Sequence, residues 1–499
     1  MRFHVSALLV ALTVSAQTPT GQFTGQVRDP VGASVPETRI VITNVNTGFR
    51  RETVTNASGN YTAPLLTPGE YRLTAQKEGF RPVSKSGATL QVDQVVRIDF
   101  TLEIGAVSER VEVNAEAPLV DQSTASLGTV VENSKIVDLP LNTRNAFRLA
   151  LIAPGVTPAP GFGDQFNTAT GFRVNGGRAN QNEIMVDGVS NSLSAANPIM
   201  VVGLFPSPDA LQEFKIQTST YSAEYGRTSG GVINMVIKSG TNEFHGSIYE
   251  FLRNSAMDAN SFFANRAGRD LPSLKRNQFG VTLGGPVKKN KAFFFVNYEG
   301  LRLRAGSTAT RTVPTELERN GDFSRSFSRV AGQCTAVTIH DPVTTRSNPN
   351  GTGFIRDAFP NNRIPANRLD PVGVVISRFY PLPNTAGDAC TGANNFFSNK
   401  STRIDTNQTD AKLDWAPSDS DRFFFGVAWR KREDLAPNHY GNAAEPMAGI
   451  NGDSYPAGSL RLDYTRVQSP SLILNFRAGA TRLERHFSMS DGSFSLSSL

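Results

Sequence analysis

Between Asp209 and Phe251 the chain changes its pattern of apolar and polar positions three times. Leu211 to Gln217 (LQEFKIQ) alternates, as a half-buried strand does. After a glycine hinge at Gly226, Gly230 and Gly231, Val232 to Lys238 (VINMVIK) is almost continuously apolar, which suits a strand buried on both faces. A Ser-Gly-Thr-Asn turn at Ser239 to Asn242 stops that run. Phe244 to Phe251 (FHGSIYEF) then alternates again, now with aromatics. A globular region is expected to end here and a long-stranded, aromatic-rich one to begin.

Upstream, short strand patterns recur from Gly21 to Leu102, separated by turns such as Asp29-Pro30-Val31-Gly32 and Ala57-Ser58-Gly59-Asn60. This spacing predicts a small antiparallel β-sandwich over residues 21–103. Residues 104–122 read as a connector with one strand pattern, Glu109 to Asn114. Residues 123–240 carry a short helix from Leu149 to Gly155, and a strand from Glu183 to Gly188 closed by an Asp-Gly turn.

From Phe244 onward, alternating segments of barrel-strand length are separated by turns and loops. Arg276 to Gly285 and Lys291 to Leu301 flank the polar turn Pro286 to Asn290. Phe293, Phe295, Asn297 and Glu299 share one face of their strand, and Phe294, Val296 and Tyr298 share the other. Thr406 to Trp415, Arg422 to Lys431, Leu460 to Val467 and Leu472 to Leu483 continue the pattern. Between them a polar stretch from Arg304 to Asn399 reads as a long loop, with one helical turn at Val372 to Tyr380.

Composition narrows the class. Of 499 residues only 19% are charged, with 43 Gly, 29 Pro and 32 Phe, which fits a turn-rich β protein better than a helical enzyme. The net charge is +6, but there is no dense Lys/Arg run, so nucleic acid is not an expected partner. Arg2 and His4, the apolar Ala7 to Val14 and the small-residue site Val14-Ser15-Ala16 read as a signal peptide over residues 1–16. No later stretch of about 20 apolar residues would make a transmembrane helix, but a barrel hides its signal in alternation. Cys334 and Cys390 lie in the same loop region and read equally as a disulfide or as two thiols. The five histidines show no metal-ligand spacing, and no nucleophile motif occurs, so no catalytic residue, metal or cofactor is expected.

Three strings carry a resemblance: EYGRTSGGVINMVIKSGTNEFHGSIYEFLRN from Glu224, LPLNTRN from Leu139, and GGPVKKNKAFFFVNYEGLR from Gly284. They resemble TonB-dependent outer-membrane receptors of the Oar-like subfamily. The pattern GQVxDPxGAxVP, then TNASGNY, then LxPGEYxL, resembles the carboxypeptidase-regulatory-like domain, which has a carbohydrate-binding-like fold. The fold so implied is mainly β: an N-terminal β-sandwich, a mixed α/β plug over 123–240, and over 244–499 the first part of a large transmembrane antiparallel barrel. About seven or eight strands are legible, against about 22 in plugged transporters, so the barrel is expected to be incomplete at its C-terminal end.

The resemblance implies energy-coupled uptake across the outer membrane, with the sandwich in the periplasm. Its partners would be a TonB-type coupling protein, outer-membrane lipid and an unknown substrate, carbohydrate or peptide. A strand at Val107, Val111 and Val113 is the nearest candidate for TonB contact by strand addition, and a plain edge strand is an equal reading. The plug loop Arg173, Asn175 and Arg178, with Asp187 on its hairpin, is the candidate substrate-facing set. Tyr61, Tyr71 and Phe80 of the sandwich read as core rather than as a sugar-stacking platform. The alternative function is a non-transporting surface binding or adhesion protein that uses the sandwich.

Overall fold

The computed structural model describes residues 19–105, 111–114, 126–139, 141, 143–159, 172–193, 201–226, 228–266, 270–441 and 452–488. The signal-peptide reading and Val107 fall outside them. Among the described residues no helix is long and apolar enough to cross a membrane.

Nine strands build the N-terminal unit: β1 (Gly21–Arg28), β2 (Arg39–Asn44), β3 (Arg50–Val54), β4 (Asn60–Leu66), β5 (Gly69–Gln76), β6 (Val83–Leu90), β7 (Val95–Arg97), β8 (Phe100–Thr101) and β9 (Val111–Asn114). One sheet is ordered β4-β1-β7, with β8 also on β1; the other is β3-β2-β5-β6-β9. The inward residues Phe23, Ile40, Ile42, Tyr71, Leu73 and Phe100 fill one core between them. The sandwich differs from a purely antiparallel one, because β1–β7, β1–β8 and β6–β9 run parallel. Parallel pairing needs a crossover rather than a tight turn, so turn signals do not reveal it.

A central unit follows, with β10 (Leu127–Glu132), α1 (Asn133–Asp138), β11 (Val156–Pro158), β12 (Phe172–Val174), β13 (Glu183–Val186), β14 (Val189–Ser190), β15 (Ser192–Leu193), β16 (Val201–Val202), β17 (Leu211–Ser219) and β18 (Val232–Ile237). Its main sheet is ordered β10-β17-β18-β13-β14. The helix expected at Leu149 to Gly155 is a 3-10 segment at Ala146–Ile152, capped by Asn145. Every residue of β18 is buried. Phe147, Phe172, Ile184, Phe214, Ile216 and Ile233 pack into one core, and Phe295 of the next region joins it.

That next region is an eight-stranded antiparallel, barrel-like wall: β19 (His245–Asn254), β20 (Leu274–Lys288) and β21 (Ala292–Arg311), then β26 (Phe396–Trp415), β27 (Asp421–Leu435), β28 (Gly452–Ser469), β29 (Leu472–Leu483) and β30 (His486–Ser488). Helix α2 (Phe262–Arg266) lies between β19 and β20. Strands β21 and β26 stay paired from Ala292↔Trp415 to Arg311↔Phe396, so both run well past the expected limits of Leu301 and Thr406. The extensions are rich in Ser, Thr, Asn and Arg, because a backbone ladder continues above an apolar band without apolar side chains. The long loop is correspondingly shorter. It holds α3 (Glu316–Arg319), the small hairpins β22 (Phe327–Val330) with β23 (Gln333–Ala336) and β24 (Arg346–Ser347) with β25 (Phe354–Ile355), and α4 (Pro371–Phe379). The helix expected at Val372 to Tyr380 is α4, started by Asp370, whose carboxylate accepts from the Gly373 amide.

Candidate functional site

The wall has two contrasting faces. On β21, Phe293, Phe295 and Asn297 are buried, Phe295 within the core of the central unit, while Val296 is exposed on the opposite side. The directly opposed inner residues Glu299, Gln408 and Arg430, and one step along Asn297 and Asp410, are largely polar. The outward face exposes Ile248, Val281, Leu283, Leu413, Phe425, Leu460, Leu462, Leu474 and Phe476. Aromatics mark the band's edges. Trp415, Phe423 and Tyr464 stack side by side at one edge, with ring centroids 5.1 and 4.4 Å apart. Tyr298 and Trp429 lie on the outward rows toward the other edge.

The central unit is seated on the inner face by a buried charge cluster and by an arginine stacked on aromatic rings of the wall. Asp187 and Gly188 make the turn between β13 and β14 with positive φ angles of 46° and 77°, the conformation for which Asp-Gly is favoured. The Asp187 carboxylate accepts from the Ile237 amide at 3.1 Å and from Arg461 on β28 at 2.8 Å, and it lies 3.5 Å from Lys412 Nζ on β26. All three side chains are buried. Beside this contact Val189 presses on Gly479, where an added Cβ would come within 2.3 Å of its methyl group; only glycine admits the hairpin there. Thr481 on β29 donates to the Ser190 carbonyl at 3.1 Å.

The second contact uses Arg144 of the LPLNTRN string. It pairs with Asp209 and stacks on Tyr249 and Phe251 of β19, 5.0 and 3.8 Å from the ring centroids. Tyr249 donates to Glu299 at 2.9 Å, and Arg276 of β20 reaches the Thr143 carbonyl. A cavity of about 490 Å³ adjoins it, lined by Ile136, Leu139, Leu141, Arg144 and Phe251.

The residues singled out from sequence are thus dispersed. Arg173, Asn175 and Arg178 are exposed, and the Asn175 amide donates to the Thr218 carbonyl near the end of β17 that abuts the sandwich. Asp187 is closed off between the central unit and the wall. Val111 and Val113 lie on β9, in parallel register with Val83 and Lys85 of β6. Cys334 and Cys390 are joined, with Cα atoms 5.7 Å apart. Tyr61 and Tyr71 are buried, their hydroxyls donating to the Ile98 and Thr67 carbonyls, so neither offers a ring face to a sugar. Among the described residues no cluster of His, Cys, Asp or Glu fits a metal ion.

Sequence reading missed Lys412, Arg461 and Arg144, and also a dock between sandwich and central unit. There the Val92 amide donates to the Glu213 carboxylate, Lys215 Nζ donates to the Asp93 carbonyl at 2.8 Å, and Gln217 and Asn234 donate to the Asp93 carboxylate at 3.3 Å. Burial pushes the Asp93 carboxyl up to about 6 and the Glu213 carboxyl up to about 8. In the long loop between β21 and β26 a second cavity, about 480 Å³, is lined mainly by Val313, Pro314, Phe323, Leu369 and Val374.

Two domain models match the chain, one over the sandwich and one over the wall. An outer membrane beta barrel domain model matches residues 236–498, and a carboxypeptidase regulatory-like domain model matches residues 22–103. The TonB-dependent transporter Oar of Myxococcus xanthus is 31% identical over 278 residues, which are 53% of this chain and 25% of that relative, so the chain spans a quarter of its length. The outer membrane transporter YddB from Escherichia coli aligns with a TM-score of 0.45 at 14% identity, over 73% of this chain and 40% of that one. A variant of the ferric enterobactin receptor PfeA from Pseudomonas aeruginosa aligns with a TM-score of 0.34 at 12% identity, over 72% and 45%. With more than half its residues matched by the barrel model, the chain belongs to the outer membrane β-barrel family and is a homologue of the TonB-dependent transporter Oar.

Proposed function

We propose that this chain is part of a TonB-dependent outer-membrane receptor that takes up a substrate by energy-coupled transport. The observation that carries the reading is the inversion of the wall. Its outward face is an apolar band edged by aromatics, and its inward face is polar and filled by the central unit. A soluble sandwich would bury such a band; a lipid bilayer covers it. In this reading the central unit is the plug, the sandwich stands in the periplasm, and the loop over residues 312–395 faces outward with its cavity available to substrate. Asp187 and Arg144 seat the plug rather than meet substrate, and β9 is the strand offered to the coupling protein.

The test is fractionation of the expressed protein after carbonate washing, together with gel migration before and after heating. Retention in the membrane with heat-modifiable migration is expected. Release into the soluble fraction overturns the reading and leaves a secreted binding protein in its place.

A further inference from the structure

We propose that the sandwich is a second closure of the transport path, a cap docked on plug and wall together that must lift before the plug can move. The proposal rests on the receptor reading above. On the plug side, the Gln91–Gln94 loop reaches β10, β17 and β18 at once. Gln91 donates to Glu132 at 2.7 Å, the Val92 amide to Glu213, and Lys215, Gln217 and Asn234 all converge on Asp93. Asp93 itself has a φ of 53°, a strained backbone held in place by these contacts.

On the wall side, the sandwich turn after β2 meets the barrel turns. The Asn242 amide donates to the Asn46 carbonyl at 3.0 Å. Gly48 lies so close to Asn290 that an added Cβ would sit 2.5 Å from its Oδ1. Where all three parts meet, Thr20 and Leu65 of the sandwich, Asp187 of the plug and Lys412, Arg422 and Arg477 of the wall line a partly open space of about 40 Å³. That space holds about one water molecule. In this proposal a solute released beside Asp187 as the plug moves would next meet the sandwich.

The same arrangement places the candidate coupling strand on the cap. Among the described residues β9 pairs with β6 of the sandwich and with no strand of the plug, leaving its other edge open for strand addition. A pull on β9 is then applied first to the cap, and through the Asp93 loop to β17 and β18.

The experiment uses the full chain in lipid and two changes. Asp93→Gly removes the carboxylate at a position whose positive φ glycine tolerates. The pair Asn46→Cys and Asn242→Cys, oxidised, ties the cap to the wall. Hydrogen exchange is followed in β17 and β18. Asp93→Gly is expected to speed exchange at Gln217 and Val232 to Asn234 by about tenfold or more, as buried hydrogen bonds are lost. The sandwich core should keep its protection, and the oxidised cysteine pair should restore most of the loss in the plug. Unchanged exchange in β17 and β18, or equal losses in the sandwich that the cysteine pair does not rescue, overturns the cap. Membrane insertion is read separately by carbonate washing, so failure of the cap and failure of the receptor reading are told apart.

Discussion

Strands β18 and β21 sit in the same molecule and obey opposite rules. Every residue of β18 is buried, and its sequence, VINMVI, is apolar on both faces apart from Asn234. Strand β21 alternates, but its buried face turns polar as it ascends, from Phe293 and Phe295 to Asn297, while its exposed face keeps Phe294 and Val296. The central unit is organised as proteins in water are, with apolar residues inside. The wall is apolar outside and carries charge and amide groups inside, which is stable only where hydrocarbon replaces water at the outer face. The two are joined by buried charges because the inner wall has few apolar residues to offer.

The sharpest way to break this comparison is at the joint. Asp187→Asn leaves Lys412 and Arg461 buried without their anion, and is expected to cost about 3–5 kcal/mol of the stability of the seated central unit. Urea unfolding in lipid reads it; a loss below about 1 kcal/mol, the scale of a surface pair, contradicts the account. Next come neighbours on β21. Phe295→Ala opens a hole in the central core and should also cost about 3–5 kcal/mol. Phe294→Ala, one residue away, touches the outer face and should cost clearly less. Equal losses would mean that the two faces are not different.

A somewhat smaller effect is expected in the apolar band. Leu460→Arg should cost about 2–4 kcal/mol if it lies near the bilayer midplane, seen as a reduced folded fraction in lipid. The smallest effect concerns pH. Asp93 and Glu213 hold protons more tightly when docked, so docking is fully favoured below their ordinary values near 4. It weakens as pH rises through about 6 and then about 8. Spin labels at Val45 and Lys289 should report a broader sandwich-to-wall distance at pH 9 than at pH 5, and Glu213→Gln should remove the upper step.

Much of this was legible in the sequence, for physical reasons. Alternation is imposed by the pleat, so the faces of β21 could be read from residue order alone. Asp-Gly also announced the turn at Asp187. What lies over that turn could not be read, because Lys412 and Arg461 are 225 and 274 residues away and nothing local marks them. A loop position therefore looked available to substrate when it is buried. The extensions of β21 and β26 were hidden because their ladders need no apolar residues. Strand β9 showed its strand pattern but not its parallel place on β6, which no turn signals.

The outer face can be tested with what the chain already contains. Its two tryptophans, Trp415 and Trp429, are 47% and 48% exposed and both belong to the outward rows of the wall. Intrinsic fluorescence of the protein in vesicles should be quenched by brominated phospholipid and little affected by aqueous iodide. Strong quenching by iodide with none by brominated lipid would place that face in water and contradict the inverted wall.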